Sequence, residues 1–378
     1  MQVMRILGHI ARILVGITFI FSGFVKGIDP WGSAYKFIDY FMAMGLDWLS
    51  WSAFPLGVIL AFAEFLIGAA LLFGINVRFF SWGALIFMAF FTPLTLWIAV
   101  TNPVTDCGCF GDALVISNWE TFYKNIVLII LAILVFIQRH QLKPILKKVS
   151  PVLGYLTIAA YVAIVWHSYM HEPVLDFRPY KVGVNIIDAM TIPEDAEHDV
   201  YENIFYYKNK NTGEVKRFTE ENYPWQDPDN WEFESMDEPR LIKQGYRPPI
   251  KAFNVETREG DNIYDFFLYD EEYVFMLIAY DINKSSRKNQ DRINSLASWA
   301  MEEGYSFICL TSSLFDDCDR FAAETGAPYE FFHADEIDLK TMIRSNPGLI
   351  VLKGGTIVAK YSRNDIPSPE EFRAEFLK

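Results

Sequence analysis

Residues 101–120 read TNPVTDCGCFGDALVISNWE. They hold two of the four cysteines, Cys107 and Cys109, separated only by Gly108 and flanked by two strongly apolar runs. A short polar loop between two such runs predicts a helical hairpin that crosses a bilayer and returns. Outward from this loop, further apolar segments reach the roughly 20 helical residues that a hydrocarbon core requires. The full set of spans falls near residues 6–27, 54–74, 79–100, 121–138 and 150–169. The first begins MQVMRILGHIARILVGITFIFSG and is followed by FVKGIDPWG, a poor cleavage site, so it is read as a retained span.

The overall charge of −14 divides unevenly. Residues 1–169 carry ten Lys/Arg and seven Asp/Glu, whereas residues 170–378 carry 23 and 40. The second part therefore has the composition of an acidic, water-facing domain. It lacks the basic footprint that nucleic-acid binding needs. The expected organisation is a membrane α-helical bundle over residues 1–145, a fifth transmembrane helix at 146–170, a β-rich subdomain or linker at 171–249, and an α/β domain at 250–378.

Positive charge sets the expected orientation. Arg5, Arg12, Arg78, Arg139, Lys143, Lys147 and Lys148 flank one set of span ends, and the loops at the other ends are mainly acidic. This predicts a multi-pass protein of a bacterial inner membrane. Its N-terminus would be cytoplasmic, and the cysteine loop and C-terminal domain would be periplasmic, where disulfides persist. The stretch 31–53 is aromatic and interrupted, with Trp31, Trp48, Trp51, Tyr35 and Tyr40, and reads as an interfacial amphipathic helix.

Glu64 lies mid-span in LAFAEFLIGAALLFG, where an ionised carboxylate costs on the order of 3 kcal/mol. It needs a partner, and Lys26 in FSGFVKG is a candidate, with Ser22 or a backbone group as the alternative. The pair reads either as an interhelical clamp or as part of a substrate or proton path.

The series RILVGITFIFSGFVKGIDP, AEFLIGAALLFG and DCGCFGD resembles the DoxX/MauE group of four-helix membrane proteins over roughly residues 1–140, with the third element pointing to the MauE side. MauE-like proteins are associated with maturation of methylamine dehydrogenase, a disulfide-rich periplasmic enzyme. The resemblance thus implies thiol handling outside the membrane. The fifth span and the large C-terminal domain are additions to that four-helix unit.

Cysteines at i and i+2 can close only a tight, strained ring, and such disulfides exchange readily. Thiol–disulfide exchange, static pairing elsewhere and metal binding by Cys107 and Cys109 remain open as readings. Asp106 and Asp112 should raise a nearby thiol pKa, and no helix N-terminus or cation in the sequence clearly offsets them.

The segment IFYYKNKNTGEVKRFT, residues 204–219, suggests two strands around Asn211-Thr212-Gly213, and WEFESMDEPRLIKQGY suggests another strand pair. From about residue 250, strands and helices alternate and end in the hairpin GLIVLKGGTIVAKY. In the helix around residues 287–304, Ile293, Leu296, Ala297, Ala300 and Met301 share one face. This order resembles the thioredoxin fold of peroxiredoxin type, with Asn346-Pro347-Gly348 at the position of its cis-proline. The family's catalytic cysteine is missing: Asn283, Lys284, Ser285 and Ser286 stand there instead. Cys309 reads as a buried small hydrophobe, and Cys318 as a bystander on a helix face.

The leading reading is an accessory protein for periplasmic thiol–disulfide handling or maturation of exported proteins. Cys107 and Cys109 would react, and a redox-inactive thioredoxin-like domain would bind clients near Pro347. Electrons would pass to a quinone or to a partner oxidoreductase. A non-enzymatic scaffold, or transport through the bundle past Glu64 and Lys26, are the alternatives. No cofactor fingerprint or metal-ligating histidine cluster is evident.

Overall fold

Five apolar helices carry the N-terminal part of the chain and form a membrane-spanning bundle. The computed structural model describes residues 2–104, 106–144, 149–243 and 245–377; Lys147 and Lys148, counted above for orientation, lie outside them. The helices are α1 (Gln2–Ile28), a short α2 (Pro30–Ala43), α3 (Ala53–Phe73), α4 (Val77–Thr101), α5 (Asn118–Gln138) and α6 (Ser150–Met170). All but α2 are long and apolar enough to cross a bilayer, as the hydropathy of the sequence predicts.

Small residues bring α1 and α3 into backbone contact. A Cβ on Gly23 would lie 2.6 Å from the Phe65 nitrogen, and one on Gly68 would lie 2.6 Å from the Ile20 nitrogen. Between lipid-immersed helices such close approach takes the place of a hydrophobic driving force. On the far side, α6 stacks Tyr161 on Phe65 at 3.9 Å and donates its hydroxyl to the Gly23 carbonyl at 2.8 Å.

Asp29 starts α2 by accepting from the Gly32 N–H at 2.9 Å, with Pro30 in the first turn. This helix and the 3-10 turn at Asp47–Ser52 account for the aromatic stretch 31–53. Trp48 and Trp51 are exposed, whereas Trp31 packs against Phe54.

The chain forms two compact units, Met1–Val184 with Asn254–Lys378, and Asn185–Phe253. The smaller unit begins with α7 (Ile186–Met190) and contains β1 (Val200–Glu202), β2 (Ile204–Asn209), β3 (Val215–Thr219), β4 (Trp231–Met236) and β5 (Arg240–Lys243). Strands β2 and β3 form the expected hairpin, with Gly213 at φ +74° in its turn. The expected β4–β5 pair does not form. Instead β4 pairs with β2 and β5 with β1. Only Asn203 separates β1 from β2, and residues 237–239 separate β4 from β5. The four strands thus behave as one long antiparallel pair broken at matching points.

The C-terminal part contains α8 (Tyr264–Leu268), β6 (Tyr273–Ile278), α9 (Gln290–Glu302), β7 (Ser306–Thr311), α10 (Phe315–Thr325), β8 (Glu330–His333), α11 (Glu336–Met342), β9 (Gly348–Lys353), β10 (Thr356–Ser362) and α12 (Pro369–Phe376). Its five-stranded sheet has the order β10-β9-β6-β7-β8, with β6, β7 and β8 parallel and β9–β10 an antiparallel hairpin. Central β6 is buried at every position, as a strand covered on both faces must be. Helices α9, α10 and α12 cover one face, around Phe275, Cys309 and Phe372. On the other face, Phe267 of α8 packs on Phe332.

This is the expected α/β architecture, and the Asn346–Pro347 bond is cis. Two details differ from the sequence reading. Met301 is 39% exposed, and Trp299, on the other flank of the same apolar stripe, is buried instead because α12 covers that flank with Phe372. Cys318 is fully buried rather than displayed on the helix surface, and burial pushes its thiol up to about 11.

Candidate functional site

The cysteine loop sits at the bundle end where α1 finishes and α3 and α5 begin. Helix α5 starts there with a capping box, in which Ser117 and Glu120 exchange hydrogen bonds. Asn118 then donates to Asn102 Oδ1 at 2.7 Å and to the Val104 carbonyl at 2.9 Å, tying the two ends of the loop together.

Three side chains hold the cysteine segment. Tyr40 donates its hydroxyl to the Cys107 carbonyl at 2.7 Å. Ser22 Oγ lies 2.7 Å from the Cys109 carbonyl and 3.0 Å from Glu64 Oε1, one of which takes its single proton. Lys36 pairs with Asp106 at 2.8 Å, and the other Asp106 oxygen accepts from the Gly108 N–H at 2.9 Å. Gly108 has φ +65°, and a Cβ there would stand 2.9 Å from Lys36 Cγ. Backbone sign and space together favour glycine between the two cysteines.

These restraints bring the Cys107 and Cys109 Sγ atoms to 2.8 Å, both as free thiols and both half-buried. The pair loses its first proton from Cys109, which is lowered to about 6. The hydrogen bond from Cys107 is the main cause; burial opposes it, and the charges of Lys124 and Lys26 support it. Cys107 is pushed up because it supplies that hydrogen bond, and burial adds to the effect. The expectation that nearby aspartates would raise a neighbouring thiol therefore fails for Cys109. Lys36 neutralises Asp106, and Lys124 and Lys26 arrive from α5 and α1, which no local reading of the loop reveals.

Glu64 and Lys26 form the anticipated pair, with Nζ 2.7 Å from Oε2. Lys26 also donates to Ser22 at 3.0 Å. Serine and lysine, four residues apart on α1, thus meet the same carboxylate, and a continuous polar chain runs from Glu64 through Ser22 to the backbone of Cys109.

The α/β sheet end that carries Asn283–Ser286 faces α2 and the end of α6. A 330 Å³ cavity there is shared by Tyr280, Lys284 and Asn346 with Trp31, Tyr35 and Met170. Arg344, just before the cis bond, pairs with Asp29 at 2.7 Å and approaches Asp112 of the cysteine loop at 3.5 Å. Pro347 is buried. The surface near it, expected to hold clients, thus faces the chain's own membrane part. Cys309 is buried in β7, as expected. Among the described residues no group of His, Cys, Asp and Glu is arranged to hold a metal ion.

Residues 4–138 match the family model described as methylamine utilisation protein MauE, and residues 201–244 match a domain of unknown function, DUF8463. No curated protein matches the chain. Among solved structures, a thiol:disulfide interchange protein from a Bacteroides species is 16% identical, with 29% of this chain and 75% of that one covered and a TM-score of 0.25. An uncharacterized conserved protein from Geobacillus kaustophilus is 12% identical, with 47% and 77% covered and a TM-score of 0.23. Scores this low carry no functional assignment. The N-terminal region is MauE-like by the family match.

Proposed function

We propose that this membrane protein exchanges disulfides with exported client proteins through Cys107 and Cys109. The carrying observation is the 2.8 Å approach of the two sulfurs, with Cys109 held at about 6. In the oxidised form, a client thiolate attacks Cys107 and expels Cys109 as a thiolate, a leaving group favoured by its low pKa. A second client thiolate then attacks the mixed disulfide. The client leaves with a new disulfide, and Cys107 and Cys109 are left reduced.

Residues 1–145 serve in this reading as the reactive membrane unit, 146–170 as an added span, 171–249 as an insertion and 250–378 as the outer domain. Sidedness follows from charge: Arg5, Arg78, Arg139 and Lys143 flank the span ends opposite the cysteine loop. Basic residues favour the cytoplasm, which leaves the loop and the C-terminal domain outside it. The outer domain, with no cysteine at Asn283–Ser286, positions the loop and presents clients to it.

The test is mixed-disulfide trapping in cells after acid quenching. Cys109→Ser should accumulate adducts between Cys107 and oxidised clients, because no Cys109 thiolate remains to attack the mixed disulfide and release them, and Cys107→Ser should accumulate far fewer. Adducts on neither variant, with the wild-type pair permanently reduced, would defeat this reading.

A further inference from the structure

The cavity beside the cysteines extends further than thiol exchange requires. It encloses about 230 Å³ and runs from Cys107 and Cys109 past Lys26 and Glu64 into the bundle between α1, α3, α4 and α5. Below the ion pair its walls are apolar and aromatic, with Phe19, Leu60, Phe87 and Leu128. One side is formed by Met44 at the end of α2 and Phe90 of α4, which also belong to the exposed apolar surface of the bundle. Along that surface the solvent is lipid, so this side opens towards acyl chains.

We propose that this cavity binds the head group of a lipid-soluble quinone and that the reduced Cys107–Cys109 pair is its electron donor. The inference rests on the disulfide exchange proposed above, which leaves a dithiol that must be reoxidised. The step balances: Cys107–SH and Cys109–SH form one S–S bond, and the two electrons and two protons released convert the quinone to a quinol. Lys26, which donates to Glu64 and Ser22, keeps a third N–H for a quinone carbonyl inside a mainly apolar chamber, and Asn125, also on the wall, keeps one amide N–H beside its bond to Thr95. The volume is below the ~300–1,000 Å³ that encloses a whole drug-sized ligand. A single ring fits, and its isoprenoid tail stays in the membrane.

The experiment uses the full-length chain in lipid nanodiscs and has two arms. The first equilibrates the protein with glutathione redox buffers and counts free thiols by mass tagging. The second mixes reduced protein with a fully ring-substituted decyl-quinone, which cannot form thiol adducts, and follows quinol absorbance and thiol loss together. The expected result is a pair that cycles in both arms, with one quinol formed per disulfide. Phe91 and Leu94 of α4 also line the cavity, and Phe91→Trp, which fills it, should slow the quinone arm by at least about ten-fold, equivalent to about 1.4 kcal/mol, and leave the glutathione equilibrium in place. Leu94→Phe, a milder filling, should give an intermediate rate and guards against misfolding of the tryptophan variant. Cycling with glutathione but no quinol, or quinol formation indifferent to both fillings, overturns the quinone site and spares the exchange reading. A pair inert to glutathione removes both.

Discussion

The Arg344 guanidinium grips the Asp29 carboxylate across 315 residues of sequence, with Nε 2.9 Å from Oδ1 and Nη2 2.7 Å from Oδ2. Asp29 is the residue that starts α2, and α2 in turn carries Lys36 and Tyr40, two of the three side chains that hold the cysteine loop. The C-terminal domain is therefore fastened to the element that shapes the cysteine loop. Burial opposes ionisation of Asp29, but the charge and hydrogen bonds of Arg344 outweigh it and hold the carboxyl below its usual range.

Removing the guanidinium should loosen that element. Arg344→Ala leaves a largely buried carboxylate without its partner, which costs on the order of 3 kcal/mol locally. Hydrogen exchange at the amides of α2 and the cysteine loop should accelerate. Arg344→Lys should rescue only part of the loss, since an ammonium cannot make the two-pronged contact. Unchanged exchange in the alanine variant would show that the loop does not depend on the domain.

The pH profile of alkylation reports the thiol asymmetry. Iodoacetamide should modify Cys109 with a midpoint near 6, well before Cys107 reacts. Cys107→Ala removes the S–H donor and should move that midpoint upwards. Lys124→Met removes a cation and should act in the same direction. A wild-type midpoint at the ordinary thiol value would contradict the electrostatic account.

Acid should release the linker after α6 from the sheet. Arg178 is 2% exposed and bonds Glu172 and Asp176, and Lys360 of β10 reaches the same Asp176 at 2.7 Å. Burial would raise Asp176, yet the two cations hold it at about 2 rather than 3.8. Because the folded value is the lower one, its contribution is complete above the unfolded value and disappears as pH falls through about 2. It amounts to on the order of 2 kcal/mol. Thermal midpoints should fall steeply between about pH 5 and about pH 2 in the wild type and less steeply in Asp176→Asn. Parallel curves would exclude Asp176 as the source.

Much of the architecture was legible because the bilayer imposes one rule on every span, and hydropathy reads that rule directly. Glu64 was conspicuous for the same reason, and Lys26 and Ser22 were named with it; Gly23 and Gly68 then supply the close helix approach that unites them. The setting of the cysteines was not legible. Lys36, Tyr40 and Lys124 belong to other elements, and Tyr40 looked like one more interfacial aromatic. Arg344 gave no local signal, since its partner lies in the first membrane turn. In the small unit, strand pairing depended on matching breaks at Asn203 and residues 237–239 rather than on alternation.

The Lys26–Glu64 pair separates a structural clamp from a working group. Lys26 and Glu64 are both largely buried, so Glu64→Gln or Lys26→Met alone should cost about 3–5 kcal/mol by stranding the other charge. The double variant Lys26→Met with Glu64→Met replaces both charges by apolar side chains, and its thermal midpoint should return close to wild type. If the pair only joins α1 to α3, client oxidation recovers along with stability. If Lys26 serves the sulfur chemistry, stability recovers while client oxidation stays impaired and the Cys109 alkylation midpoint stays raised. The second outcome is expected, because the Lys26 charge favours the Cys109 thiolate more than the Glu64 charge opposes it, so removing both leaves a net loss. Full activity in the double variant would reduce the pair to a clamp.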